Sequence, residues 1–189
     1  MIKANRRIKN IALSAMFLAI GLLLPLLTGQ VPQIGRMLLP MHIPVLLCGL
    51  ICGWQYGGTV GFTLPFLRNV LFGMPPMPGA ISMAFELAIY GIVIGILYSH
   101  SRRKCIFSLY RSMLVAMLAG RIVWGLAQTA LLGIVGKGFT WQMFMAGAFF
   151  DAIPGILLQL TLIPAIMVVL NRAGLVRFSP KESQHRAGV

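Results

Sequence analysis

Acidic residues are almost missing. The 189-residue chain holds three, Glu86, Asp151 and Glu182, against 16 lysines and arginines. Charged residues of both signs make up only 10% of it, where a soluble domain carries about 25%. With 58% hydrophobic residues, that scarcity excludes an ordinary water-soluble domain and points to a membrane-integral protein. Cysteine is scarce too. Cys48, Cys52 and Cys105 form neither a CxxC pair nor an even set, so a disulfide framework and a zinc site are both unsupported. Cys48 and Cys52 share a helix face and read as small packing residues. There is no HExxH, no GxSxG and no GxxxxGK(S/T), so nothing supports an enzyme, and energised transport would need ATPase activity from another subunit. No metal or cofactor is expected.

What the chain does have is long apolar runs. A spanning helix needs about 20 such residues, and six candidates follow one another at 11–27, 43–54, 56–72, 80–98, 112–135 and 141–170. The second alone is too short to cross and begins inside the preceding loop, tilts, or sits half-buried. The sixth carries Pro154 and Pro164, so a kink or break is expected there. The first exceeds the ~7–15 apolar residues of a signal peptide and lacks a small-x-small cleavage site, so it reads as a retained helix. The fold expected is an all-α integral membrane bundle of six transmembrane helices over 11–170. A basic tail precedes it at 1–10, and a polar tail, expected to be disordered, follows at 171–189.

A net charge of +13 could suggest nucleic acid, but the basic residues are confined to the tails and one loop, which excludes that partner. Lys3, Arg6, Arg7 and Lys9 precede the first run, and Arg102, Arg103, Lys104 and Arg111 lie between the fourth and fifth. Arg172, Arg177, Lys181 and Arg186 follow the sixth, while only Arg36 and Lys137 fall on the opposite side. By the positive-inside rule both termini are cytoplasmic, in a multi-pass membrane protein.

Four ionisable residues then lie at membrane depth: Arg68, Glu86, Arg121 and Asp151. Each costs about 2.5–3.5 kcal/mol at a helix centre even on insertion scales, so each faces the interior and finds a partner. Counting about 1.5 Å per residue puts Arg68 and Glu86 near the outer helix ends, as the rim of a cavity. Arg121 and Asp151 fall deeper. They form two neutralising pairs or one shared network. In one reading they lock helices together; in the other they line an outward-opening cavity for a polar solute. Asn69 adjoins Arg68, Tyr90 lies one turn from Glu86, and Trp124 and Gln128 follow Arg121 at i+3 and i+7. A fork, a stacking plate and an amide on one face suit a planar or heterocyclic anionic or zwitterionic ligand. His42, near a helix but with no carboxylate close in sequence, reads as a loop hydrogen-bonder or ligand contact. Small residues recur at four-residue steps, Ala15 to Ala19, Gly91 to Gly95 and Ala116 to Gly120, with Ala12 on the same face as the first pair. Such stripes let helices approach closely in lipid, either within this bundle or against a partner.

The basic N-terminus, the Ala-x-x-x-Ala step, the long loop after it and Leu39-Pro40-Met41-His42-Ile43-Pro44 running into Gly53-Trp54-Gln55-Tyr56-Gly57-Gly58 together resemble the substrate-binding S components of energy-coupling factor vitamin transporters. The likeness covers essentially the whole chain. It implies a membrane subunit that captures a vitamin-like micronutrient from outside, docks on a transmembrane coupling subunit with two cytoplasmic ATPases, and topples to release its cargo. Ala15 and Ala19, with Ala12 beside them, match the family's docking surface, and residues 30–42 would act as a lid. Substrate-binding candidates are then Arg121, Asp151, Trp124, Gln128, Arg68, Asn69, Glu86, Tyr90 and His42. Alternatives from other classes are a stand-alone proton-coupled transporter or facilitator, with Glu86 or Asp151 relaying protons, and a membrane scaffold whose ion pairs are structural.

Overall fold

In the computed structural model, residues 2–27, 38–77, 79–101, 105–134, 140, 142, 145, 147 and 152–173 are described. They form helices α1 (Ile2–Leu27), α2 (His42–Cys52), α3 (Trp54–Phe72), α4 (Gly79–His100), α5 (Ile106–Ile134) and α6 (Ile153–Arg172), with no strand among the described residues.

The shortest helix is the most enclosed. In α2 every residue except Ile51 is buried, as a helix apolar on all sides must be. α1 lies antiparallel to it. Asn10 Nδ2 donates to the Cys52 carbonyl at 3.2 Å, Cys48 Sγ meets Ser14 Oγ at 3.6 Å, and Gly21 abuts Pro44. The chain then reverses at Gly53, whose φ of +102° is a conformation glycine adopts without steric cost.

α3 returns beside α2, and α4 runs back along α3 across a glycine seam. A Cβ placed on Gly57 would lie 2.6 Å from Gly49 Cα, and one on Gly91 would lie 2.3 Å from the Gly57 carbonyl. Gly61 meets the Leu87 carbonyl, and Gly95 meets the Trp54 backbone, equally closely. Without side chains at these points, three backbones come into direct contact, which is how helices associate where lipid supplies no hydrophobic drive. α5 packs antiparallel on α4, with Ser108 bonded to Ser101 near one end. α6 carries Pro154 in its first turn, where a missing N–H costs nothing.

The outer surface suits hydrocarbon. Leu114, Leu118, Ile122 and Leu126 form an exposed stripe on α5, as do Ile8, Ile11, Met16, Ile20 and Leu23 on α1. Exposed hydroxyls satisfy themselves: Thr59, Thr63 and Thr161 each donate to the carbonyl four residues earlier. By length and composition, residues Arg7–Leu26 of α1, and all of α4, α5 and α6, can cross a membrane. Among the described residues, then, four of the six helices meet that criterion by themselves. α2 has only 11 residues, and α3 mixes glycine, threonine, Gln55, Arg68 and Asn69 into its apolar run. Two boundaries also move: α1 and α5 begin earlier than the apolar runs because the flanking residues continue the helix, while the described part of the sixth run, α6, opens with Pro154 in its first turn.

Candidate functional site

The only acidic residue of α4, Glu86, is fully buried. Arg121 of α5 brings Nη1 to 3.0 Å from Glu86 Oε1, and His42, the first residue of α2, brings Nε2 to 3.5 Å from the same oxygen. Arg121 is 5% exposed and His42 0%. Three helices thus deliver one carboxylate, one guanidinium and one imidazole to a single point. The local sequence makes this possible. Gly120 precedes Arg121, and a Cβ there would lie 2.8 Å from the Tyr90 ring. The phenyl ring therefore rests against the α5 backbone, one turn beyond Glu86. Tyr90 also meets the His42 ring edge-on, with centroids 5.1 Å apart.

The cluster is charged, buried and, among the described residues, incompletely bonded. Arg121 Nε and Nη2, both ring nitrogens of His42, and Glu86 Oε1 have no hydrogen-bond partner among the described residues. The 3.0 Å contact between Arg121 and Glu86 is an ion pair without the alignment of a hydrogen bond. An orphaned buried polar group costs about 1–3 kcal/mol, and such groups are few in folded proteins. Chemically, the arrangement offers donors held in fixed positions and a carboxylate already neutralised. It lacks the nucleophile-and-base pair that covalent chemistry needs.

The other sequence candidates separate. Arg68 does not reach Glu86. Its Nη1 donates to the Leu22 carbonyl of α1 at 3.1 Å, and Cζ sits 5.6 Å from the Phe72 ring centroid. Asn69 Nδ2 donates to the Pro75 carbonyl at 2.7 Å and so ties the turn after α3. Trp124 is half-buried, with its indole against Gly147, and Gln128 is half-buried farther along α5. Asp151 and loop residues 28–37 lie outside the described residues. The depth expected from counting also changes. Arg121 is level with Glu86 rather than beneath it, because α5 has 29 residues and projects past its neighbours.

One residue was not singled out in the sequence. Gln159 of α6 is 0% exposed, and neither amide atom has a hydrogen-bond partner among the described residues. Its signal is a lone amide inside Ile156-Leu157-Leu158-Gln159-Leu160, easily passed over because it carries no charge. The small-residue steps divide as well. Gly91, Gly95, Ala116 and Gly120 are buried within the bundle, whereas Ala12, Ala15 and Ala19 are exposed on α1.

Among known proteins, the family model described as "ECF transporter, substrate-specific component" matches residues 9–167. Neither the curated proteins nor the solved structures contain a match.

Proposed function

The chain belongs to the substrate-specific components of ECF transporters, membrane-embedded substrate-binding subunits and not enzymes, and on that premise we propose that it captures a vitamin or related small polar micronutrient from outside and passes it inward through an ATP-driven coupling module. The observation that carries this reading is the set of orphaned buried donors on Arg121 and His42 around Glu86. A purely structural ion pair has every reason to close its hydrogen bonds, since open ones in low dielectric only cost stability. Donors held open in a fixed array serve a solute that completes them. In this reading Trp124 and Gln128, half-buried farther along α5, extend the pocket.

Six crossings with both tails in the cytoplasm fit this function. Support comes from the alternating directions of α1 to α5, fixed by contacts such as Asn10 to Cys52, Gly49 to Gly57, Trp54 to Gly95 and Ser101 to Ser108. The distribution of lysine and arginine agrees with it. α2 takes part in that alternation despite its length.

The exposed face of α1 is the proposed dock for the coupling subunit. Ala12, Ala15 and Ala19 lie on it between exposed Ile8, Ile11, Met16 and Ile20, a small-residue strip flanked by larger side chains that another helix can enter. Replacing Ala15 and Ala19 together by leucine is expected to abolish co-purification of the coupling subunit while leaving small-molecule binding within twofold. Retained co-purification would remove α1 from the docking surface. Uptake into proteoliposomes tests the whole reading. Transport should require the coupling module and ATP inside; uptake by this chain alone, abolished by collapsing the proton gradient, would instead make it a secondary transporter.

A further inference from the structure

We infer that the captured solute carries a carboxylate, and that it binds along the Nε–Nη2 edge of Arg121. This rests on the capture reading and goes one step past it, from a site to a chemical class. A guanidinium presents its N–H groups along distinct edges. Nη1 is engaged by Glu86 Oε1 at 3.0 Å, and the two nitrogens without partners among the described residues, Nε and Nη2, are those that share the side-on edge. Two parallel N–H groups on one planar edge match the two oxygens of a carboxylate, which is why arginine takes that group bidentately.

The edge is preorganised as well as unpartnered. Glu86 is fully buried and cannot turn to solvent, so its contact with Nη1 holds the guanidinium plane. The Tyr90 ring lies against Gly120, next to Arg121 in the chain, and so packs α4 closely on α5 at this level. His42 adds two ring nitrogens that have no hydrogen-bond partner among the described residues. Arg121 and His42 both stand within 3.5 Å of one Glu86 oxygen, so a solute that reaches one of them reaches the neighbourhood of the other.

Charge decides between the groups that could fill the fork. Glu86 already cancels Arg121, so the pair is formally neutral when alone. A carboxylate adds a single negative charge to that neutral pair, beside the His42 ring, whose N–H can donate to it. A phosphate monoester brings up to two, and buried uncompensated charge is what such sites tolerate least. A neutral amide offers one acceptor oxygen and leaves half the edge unmet, and its NH2 group would face N–H donors.

The test uses the full chain, purified in lipid nanodiscs. Small molecules released on denaturation are identified by mass spectrometry. Thermal-shift titrations are run with nicotinate against nicotinamide, biotin against biotinamide, and pantothenate and folate against riboflavin, thiamine and pyridoxine. The released compound, or any compound that stabilises the protein, is expected to bear a carboxylate, with its amide binding at least tenfold more weakly. Arg121→Lys keeps the charge but loses the fork, and should weaken binding tenfold or more. Should that variant not fold, the acid-against-amide comparison on the unaltered chain still decides. A carboxyl-free compound that is released or binds tightly overturns the carboxylate assignment and leaves the capture reading standing. No released compound and no stabilisation by any of the panel overturns the capture reading itself.

Discussion

Glu86→Gln will destabilise the bundle by about 3–5 kcal/mol, the usual consequence of removing one partner from a buried ion pair. The glutamine keeps the volume and most of the shape, so the loss isolates the charge. Arg121 would then stand in low dielectric with no anion beside it, among the described residues, since Glu86 is its recorded ion-pair partner. The pair itself is expected to contribute little net stability, because taking two charges out of the aqueous phase offsets most of their attraction. Glu86→Gln combined with Arg121→Met should therefore recover most of what the single change loses. The measurement is thermal or denaturant unfolding of all four proteins in the same detergent, read as a double-mutant cycle. Additive losses, with the double variant worse than either single one, would mean that the two residues are not coupled. The same double variant should retain the fold yet lose small-molecule binding, which separates the site's stability from its use.

Gly91→Leu is the second large effect. The first added atom would already lie 2.3 Å from the Gly57 carbonyl carbon and oxygen, and the obstacle is backbone, which cannot rotate aside as a side chain does. Overpacking a core commonly costs 1–3 kcal/mol. With α2, α3 and α4 meeting at this point, a loss of about 3 kcal/mol or more is expected, read as a fall in monodisperse protein and in melting temperature. Gly133→Ala supplies the control. Nothing among the described residues lies within 4 Å of its added Cβ, and alanine favours a helix over glycine by about 1 kcal/mol, so that variant should be as stable as the parent or slightly more so. If Gly91→Leu unfolds no more easily than Gly133→Ala, the seam is not the close contact described.

Much of this architecture is readable from residue order, for reasons specific to lipid. Apolar runs locate α4, α5 and α6 because a spanning helix must bury its own hydrogen bonds and present hydrocarbon outward. Glu86 and Arg121 stand out in the sequence because charge inside such runs is expensive. Their pairing is not readable, since 35 positions separate them and only the packing of α4 on α5 decides which residues are level. Arg68 misleads for the same reason. Measured along its own helix it is close in depth to Glu86, yet it turns toward α1, where Leu22 offers a carbonyl. His42 needs two facts the sequence keeps apart: that α2 starts at that residue, and that α2 is buried on every side. Gln159 is hidden by composition, being one amide among leucines and isoleucines. Helix count is the least legible of all, because α2 and α3 violate opposite halves of the rule for spans, one by length and the other by polarity.

The early start of α2 inside the protein has an electrical consequence. Aligned peptide dipoles leave roughly half a positive elementary charge at a helix's amino end. In α2 that end is His42, 0% exposed and 3.5 Å from Glu86, with no side-chain cap from Met41 before it. The Glu86 carboxylate therefore faces a fixed positive potential from the backbone in addition to the guanidinium, one that neither titration nor substitution of a side chain can switch off. Summed with Arg121 and Glu86, the interior at this point is biased toward positive by that half charge. A helix of only 11 residues thus keeps its amino-terminal field inside the protein, where a longer one would carry it to the surface, and an incoming anion is drawn to the buried end of α2.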